Sequence, residues 1–440
     1  MTAYRPWRIA HVHLDRAMPE LPQDPRSGGV YVVYWWRDLP LGLDRVATDE
    51  LPISAHDVYE RGLATIAPAV AAGLQTRQAD AGRSSGSGTV SSEQPAAWTT
   101  ESPLQTLHAL VAARTAGAGA LSASVVICTR DRPELLTRCL DSLAPALDPA
   151  DDVVVVDNAP SSQATQLLVQ SRSPFRYVLE PRPGLDIERN RGIRESRGAL
   201  VVYCDDDVVV EASWLRRLKA AFLDPAVAAA MGLVLPASLD TEAQYVFETY
   251  WGFNRGFEPR NYGPDYFTEH RARGVPAWEI GAGASMAVRR SVLCEVGGFD
   301  ERLDAGAAGC SGDSEMWYRI LAAGHVCRYE PAAVSYHWHR QEMPELERQI
   351  FHYMRGHATA LLIQFEHHHH WGNLRRLLCS LPAYYAGKSV RHVFGPDRRR
   401  TQTLAHEIRG WLAGIRYYLA QPRQTPPVVA ATDTQPRSAS

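Results

Sequence analysis

Short apolar runs alternating with segments of helical length constrain this chain most, and they begin at Ser122. "SVVIC", "DVVVVD", "FRYVLE" and "LVVYCD" read as strands bounded by turn signals. "PELLTRCLDSLA", "SSQATQLLVQS" and "LDIERNRGIRESRG" lie between them with helical length and polarity. Parallel strands need a long crossover, which a helix supplies, so the alternation predicts βαβ units and a mostly parallel α/β sheet. Such sheets bind ligands beyond the carboxyl ends of their strands.

Three of these strand ends carry polar side chains. "VVICTRDRP" ends with Thr129, Arg130 and Asp131 before a helix whose first turn takes Pro133. "VVVVDNAP" ends at Asp157, which either serves a ligand or forms the turn before Asn158 and Pro160. "LVVYCDDDV" ends in Asp205, Asp206 and Asp207. Three adjacent carboxylates repel unless something compensates, and a divalent cation such as Mg2+ or Mn2+ is one remedy. In an extended strand alternate residues share a side, so Asp205 and Asp207 are expected to face together and Asp206 away. The alternative is a solvated acidic loop.

These residues also carry a resemblance. From about Ser122 to Arg340 the sequence resembles the family 2 glycosyltransferases of GT-A fold. The blocks that match are "SVVICTRDRPELLTRCLDSL", "VVVVDNAP", "GLDIERNRGI", "LVVYCDDDV", "GAGASMAVRRSVLCEVGGFDERLDAGA" and "GDSEMWYRILAAGHVCRYEP", in order. The resemblance implies a nucleotide-diphosphate sugar donor, with a UDP-sugar favoured, a divalent cation, and transfer with inversion. Without the Gln/Arg-x-x-Arg-Trp block of the processive synthases or membrane spans, transfer of a single sugar is expected. The resemblance places Thr129, Arg130 and Asp157 near the nucleoside, with the Arg189–Asn190 pair close by. Asp205 and Asp207 become the Asp-x-Asp acids, Asp206 a ribose contact or a solvated neighbour, and Asp313 the general base. Gly281 and Gly283 fall near the donor sugar. Asp313 alone would read as a helix N-cap. Gly312 departs from the family by standing where many relatives carry an acid before the base. Glu188 departs where a small residue commonly precedes Arg-Asn, and is expected to crowd or reshape the nucleotide pocket.

The expected fold is therefore α/β of GT-A type over 121–341, with a small N-terminal α+β region over 1–75 and a helical C-terminal extension over 342–420. Residues 76–120 read as a flexible linker and 421–440 as a disordered tail. In the N-terminal part, "GVYVVYWWRDLPLG" reads as a strand ending in a Pro-Leu-Gly turn, and Ser54 as the cap of a following helix. "SYHWHR" puts His337 and His339 on one side of a strand, either as packed residues or with His337 completing a metal shell. His367 to His370 cannot all face one ion from a helix.

A net charge of −3 gives no sign of a nucleic-acid partner. Seven cysteines without a C-x-x-C pair favour reduced thiols and a cytoplasmic protein. No apolar run is long enough to span a membrane. Residues 371–400 interleave basic and aromatic side chains, which suits either a solvated face or peripheral membrane contact by an enzyme using a sugar or lipid-linked acceptor. Glycan biosynthesis at the cell envelope, or of an exopolysaccharide, would follow. Two rivals stand beside this reading. One is a binder that has lost turnover; the other is a haloacid dehalogenase-like phosphatase, whose Asp-x-Asp would normally open its domain.

Overall fold

The computed structural model describes residues 4–84, 101–394, 399–424 and 428–429. Twelve strands are formed among them: β1 Trp7–His13, β2 Gly29–Trp36, β3 Leu39–Ala47, β4 Ala123–Thr129, β5 Asp152–Asn158, β6 Arg176–Glu180, β7 Leu200–Asp205, β8 Val208–Val210, β9 Val227–Pro236, β10 Arg260–Tyr262, β11 Ser285–Arg289 and β12 Val326–His337. The main sheet runs β10-β12-β9-β11-β7-β4-β5-β6, with β8 added on β12. Strands β7, β4, β5 and β6 are mutually parallel, as the alternation predicts, and β11 is antiparallel to both its neighbours. Their valines and alanines are buried because helices cover both faces.

Parallel register aligns the strand ends. Thr129 pairs with Asp157 across β4 and β5, and Cys128 with Asp205 across β4 and β7. The antiparallel pairing of β8 with β12 sets Val208 opposite His337, which brings Asp207 beside that histidine. Strand β7 stops at Asp205, and a turn at Asp206 and Asp207 leads into β8. The triplet is thus not one extended strand.

The N-terminal region differs from the expectation in two ways. "LPLG" lies within β3, and the reversal falls at Arg37–Asp38, where Arg37 takes φ 54°. The region is also not separate. Tyr31, Val33 and Trp35 of β2 join the core of the main sheet, while Val30, Val32 and Tyr34 face a second core under the helix Ala55–Ser84. Both faces of β2 are occupied, which accounts for its unbroken apolar sequence. Ser54 does accept a hydrogen bond from the amide of Asp57, 3.2 Å away.

The 76–120 linker needs correction where the structure describes it. Residues up to Ser84 continue the first helix, and Glu101–Gly117 form another that buries Leu104, Leu107 and Val111 in the N-terminal core. Residues 85–100 of that span lie outside the described residues, as do 425–427 and 430–440 of the expected tail. The C-terminal part is helical: Met343–His368 packs against Leu404–Ala420, with Leu381–Phe394 alongside. Among the described residues no helix is long and apolar enough to cross a membrane.

Candidate active site

A cavity of ≈1840 Å³ opens at the carboxyl ends of β4 and β7. Its walls come from all three parts of the chain. Asp205, Asp206, Asp207, Arg189 and Asp313 belong to the central domain, Leu41, Gly42 and Arg45 to β3, and His352, Arg355 and Arg376 to the C-terminal helices.

Ligand atoms of Asp205, Asp207 and His337 all lie within 4.8 Å of one another. His337 Nε2 stands 3.2 Å from Oδ1 of Asp207. That pairing outweighs burial and raises the pKa of His337, while the imidazole and Arg132 hold Asp207 well below the usual carboxylate range. Two carboxylates and one imidazole form a donor set that fits Mn2+. Desolvation of its carboxyl group, then the charge of Asp207, pushes Asp205 up. A bound cation would offset the burial of Asp205 and its repulsion by Asp207, which is the physical case for one here.

Asp206 points elsewhere. It accepts from Thr129 Oγ1 at 2.7 Å and pairs with Arg132 at 3.0 Å, and burial pushes its pKa up to about 7. Arg132 also reaches Asp207, at 3.1 Å. The sequence pointed to Arg130; its side chain is instead exposed, 3.9 Å from Asp131, and does not line the cavity. The two arginines flank Asp131, whose φ of 54° turns the chain so that Arg132 faces inward.

Asp313 lies in the first turn of Gly312–Ala322, whose N-cap is Ser311 at φ 80°. The capping reading therefore does not hold for Asp313 itself. Its carboxylate accepts from the amides of Gly283, at 2.8 Å, and Ser314, at 2.6 Å. Burial, then the charge of Asp304, raises its pKa against the opposing pull of Arg189. A Cβ at Gly283 would fall 2.8 Å from Oδ2 of Asp313 and 3.1 Å from the Arg189 guanidinium, so only glycine permits this approach.

Arg189 is buried between Asp186, at 3.0 Å, and Asp304, and both carboxylates stabilise its charge. Asp186 and Asp304 were not legible as site residues: each sits in a matched block without a motif of its own. Asn190 does not reach the cavity. It clamps the Phe299 backbone, donating to the carbonyl at 2.9 Å and accepting from the amide at 2.8 Å. Glu188 does not crowd the pocket either. It accepts from the amide of Thr129 at 2.5 Å beneath the end of β4.

Thr129 and Asp157 stand side by side at the strand ends but outside the cavity lining. Asp157 accepts from the Tyr177 hydroxyl at 3.0 Å, and its other oxygen is buried without a donor. Burial raises its pKa.

The glycosyl transferase family 2 model matches residues 124–296. A pre-mycofactocin glycosyltransferase of Mycobacterium tuberculosis is 28% identical over 178 residues, covering 40% of this chain and 34% of that protein. The O-antigen biosynthesis protein RfbC of Myxococcus xanthus is 26% identical over 227 residues, covering 47% of this chain and 16% of that one. The chain thus spans about a third or less of these curated relatives. A mannosyltransferase from Pyrobaculum calidifontis, solved with GDP-Man and Mn2+, covers 69% of this chain and 96% of its own at 16% identity and a TM-score of 0.45. The span that is similar to glycosyl transferase family 2 thus runs from β4 through β11 and includes the Asp205–Asp207 turn.

Proposed function

We propose that this chain moves one sugar from a nucleoside-diphosphate sugar to an acceptor hydroxyl, with inversion and with Asp313 as general base. The observation that carries this reading is that the Asp205–Asp207–His337 cluster and Asp313 face one cavity, with Asp205 and Asp207 inside the span that matches glycosyl transferase family 2. A pocket for one small ligand runs from about 300 to 1,000 Å³, so this cavity has room for donor and acceptor together.

Asp205, Asp207 and His337 would hold Mg2+ or Mn2+, which as a Lewis acid stabilises charge growing on the departing diphosphate. The bond from the anomeric carbon to the diphosphate oxygen breaks as the acceptor oxygen attacks from the opposite side. Asp313 takes the acceptor's proton, and its raised pKa suits that task. Its two amide donors fix the carboxylate, and buried Arg189 balances the acids around it.

The acceptor would enter between β3 and the C-terminal helices. There an exposed face carries Trp371, Leu378, Val390 and Val393 with Arg375 and Arg391, beside the cavity residues Ser380, Leu381 and Tyr384. Apolar side chains among arginines suit the surface of an anionic bilayer, and so a lipid-linked acceptor in envelope or exopolysaccharide glycan synthesis.

A thermal-shift titration with uridine, guanosine and thymidine diphosphates, each with Mn2+ or a chelator, tests the donor site. One nucleotide should stabilise the wild type only with metal, and Asp207→Ala should abolish the effect. A folded wild type shifted by none of them would remove the reading.

A further inference from the structure

We infer that the N-terminal sheet is a working support of the cation site, acting through Tyr31, Glu248 and His339 to orient His337. This rests on the reading of Asp205, Asp207 and His337 as cation ligands. These three side chains and His337 form one hydrogen-bonded chain. The Tyr31 hydroxyl, from β2, donates to Oε1 of Glu248 at 2.8 Å. His339 Nε2 meets Oε2 of Glu248 at 3.2 Å, and His339 Nδ1 meets His337 Nδ1 at 3.1 Å. His337 Nε2 then faces Asp207. All of these residues are buried.

The direction of the chain follows from hydrogen-bond chemistry. Two oxygens of one carboxylate can only accept, so the Nε2–H of His339 donates to Glu248. With its one ring proton on Nε2, neutral His339 keeps a lone pair on Nδ1. Between two Nδ1 atoms one must donate; with His339 accepting, His337 carries its proton on Nδ1. The neutral His337 ring then presents its lone pair on Nε2, the nitrogen that faces Asp207 and Asp205. A cation ligand needs that tautomer, and an outer hydrogen bond is what commonly fixes it. Phe247 and Phe253 close around the pair, with ring centroids 4.5 Å from His339 and 5.2 Å from His337, so the rings cannot swing away. The helix Glu242–Tyr250 supplies Phe247 and Glu248, and Arg45 of β3 lies over the Tyr31 ring at 5.7 Å. The residues before the transferase domain thereby reach a metal ligand without touching a substrate. Tyr31, Glu248 and His339 are positioning residues.

The test is Mn2+ binding to the full chain, without nucleotide, read from the loss of the free Mn2+ EPR signal. Co2+ absorption reports separately whether an imidazole ligates. His339→Leu removes the acceptor for His337 and should raise the Mn2+ dissociation constant about 10–100-fold, the usual cost of losing an outer-shell partner. His339→Asn, whose Oδ1 sits where Nδ1 was, should restore most of the affinity. Tyr31→Phe, which deletes one hydroxyl and keeps the packing, should weaken Mn2+ severalfold with its melting temperature near wild type. If His339→Leu does not fold, His339→Asn and Tyr31→Phe carry the comparison. Wild-type affinity and Co2+ spectrum in folded His339→Leu would overturn the inference. Wild-type values in Tyr31→Phe alone would overturn its extension to the N-terminal sheet. A wild-type chain that binds no Mn2+ would instead overturn the cation reading on which it rests.

Discussion

A side chain at residue 312 would place its Cβ 2.5 Å from Oδ1 of Asp186 and closer still to Oδ2. A carboxylate from the helix Leu185–Glu195 fills the space that a side chain at residue 312 would take. Asp186 is buried beside Arg189, and its pKa is raised well above the usual value by burial and then by Asp304. The acidic neighbour that Asp313 lacks in sequence is present in space.

That exchange is testable by double substitution. Gly312→Asp alone should crowd Asp186 and cost about 1–3 kcal/mol of stability, as overpacking does. Combining it with Asp186→Gly should recover much of the melting temperature and more sugar transfer than either single variant. A Gly312→Asp protein with wild-type stability would count against the placement of Asp186.

The pH dependence of transfer follows from the environment of Asp313. Its raised pKa means that the base is protonated, and turnover lost, as pH falls through that value. Asp304 raises it by charge repulsion, so Asp304→Asn should move the acid limb of the kcat profile to lower pH. An unmoved acid limb, with the variant folded, would take Asp313 out of the rate-determining proton transfer.

Stability has its own pH signature at Asp300. Arg302 grips both its oxygens, at 2.9 and 2.7 Å, and with His367 holds its pKa far below the ordinary value. A depressed folded pKa contributes stability that is present above the unfolded value of about 3.9 and is lost as pH falls further. Asp300→Asn should therefore cost about 3–5 kcal/mol near neutral pH, as breaking a buried pair does. Urea unfolding should show the deficit shrinking below about pH 4.

The shared core predicts cooperative unfolding. Because Tyr31, Val33 and Trp35 pack into the main sheet, calorimetry should show the N-terminal region and the transferase domain melting in one transition. Val33→Asp should lower that single transition rather than split off an early one.

What the sequence disclosed were features written in short runs. Strand β7 with its acids, β5 with Asp157 and the crossover helices all carry period and turn signals within a dozen residues. What it hid depends on distant register. Nothing near Arg132 says that it, and not Arg130, will span Asp206 and Asp207. That follows from a left-handed residue at Asp131. Glu248 sits on an amphipathic helix like any acid, and only the folded chain sets it between Tyr31 and His339. The Pro-Leu-Gly of β3 looked like a turn because turn residues also occur in strands, where Gly42 here gives Thr65 room to approach.

The central claim is turnover, and the most direct measurement is release of nucleoside diphosphate from a panel of sugar nucleotides with Mn2+. Wild type and Asp313→Asn would be assayed side by side, with metal-dependent nucleotide binding measured on both. Slow hydrolysis by the wild type of one donor, at least 100-fold less in Asp313→Asn with binding retained, is the predicted result; such a loss is of the size general-base catalysis contributes, about 10²–10⁴-fold. Equal release by both proteins, or tight metal-dependent binding with no release by the wild type, would contradict it.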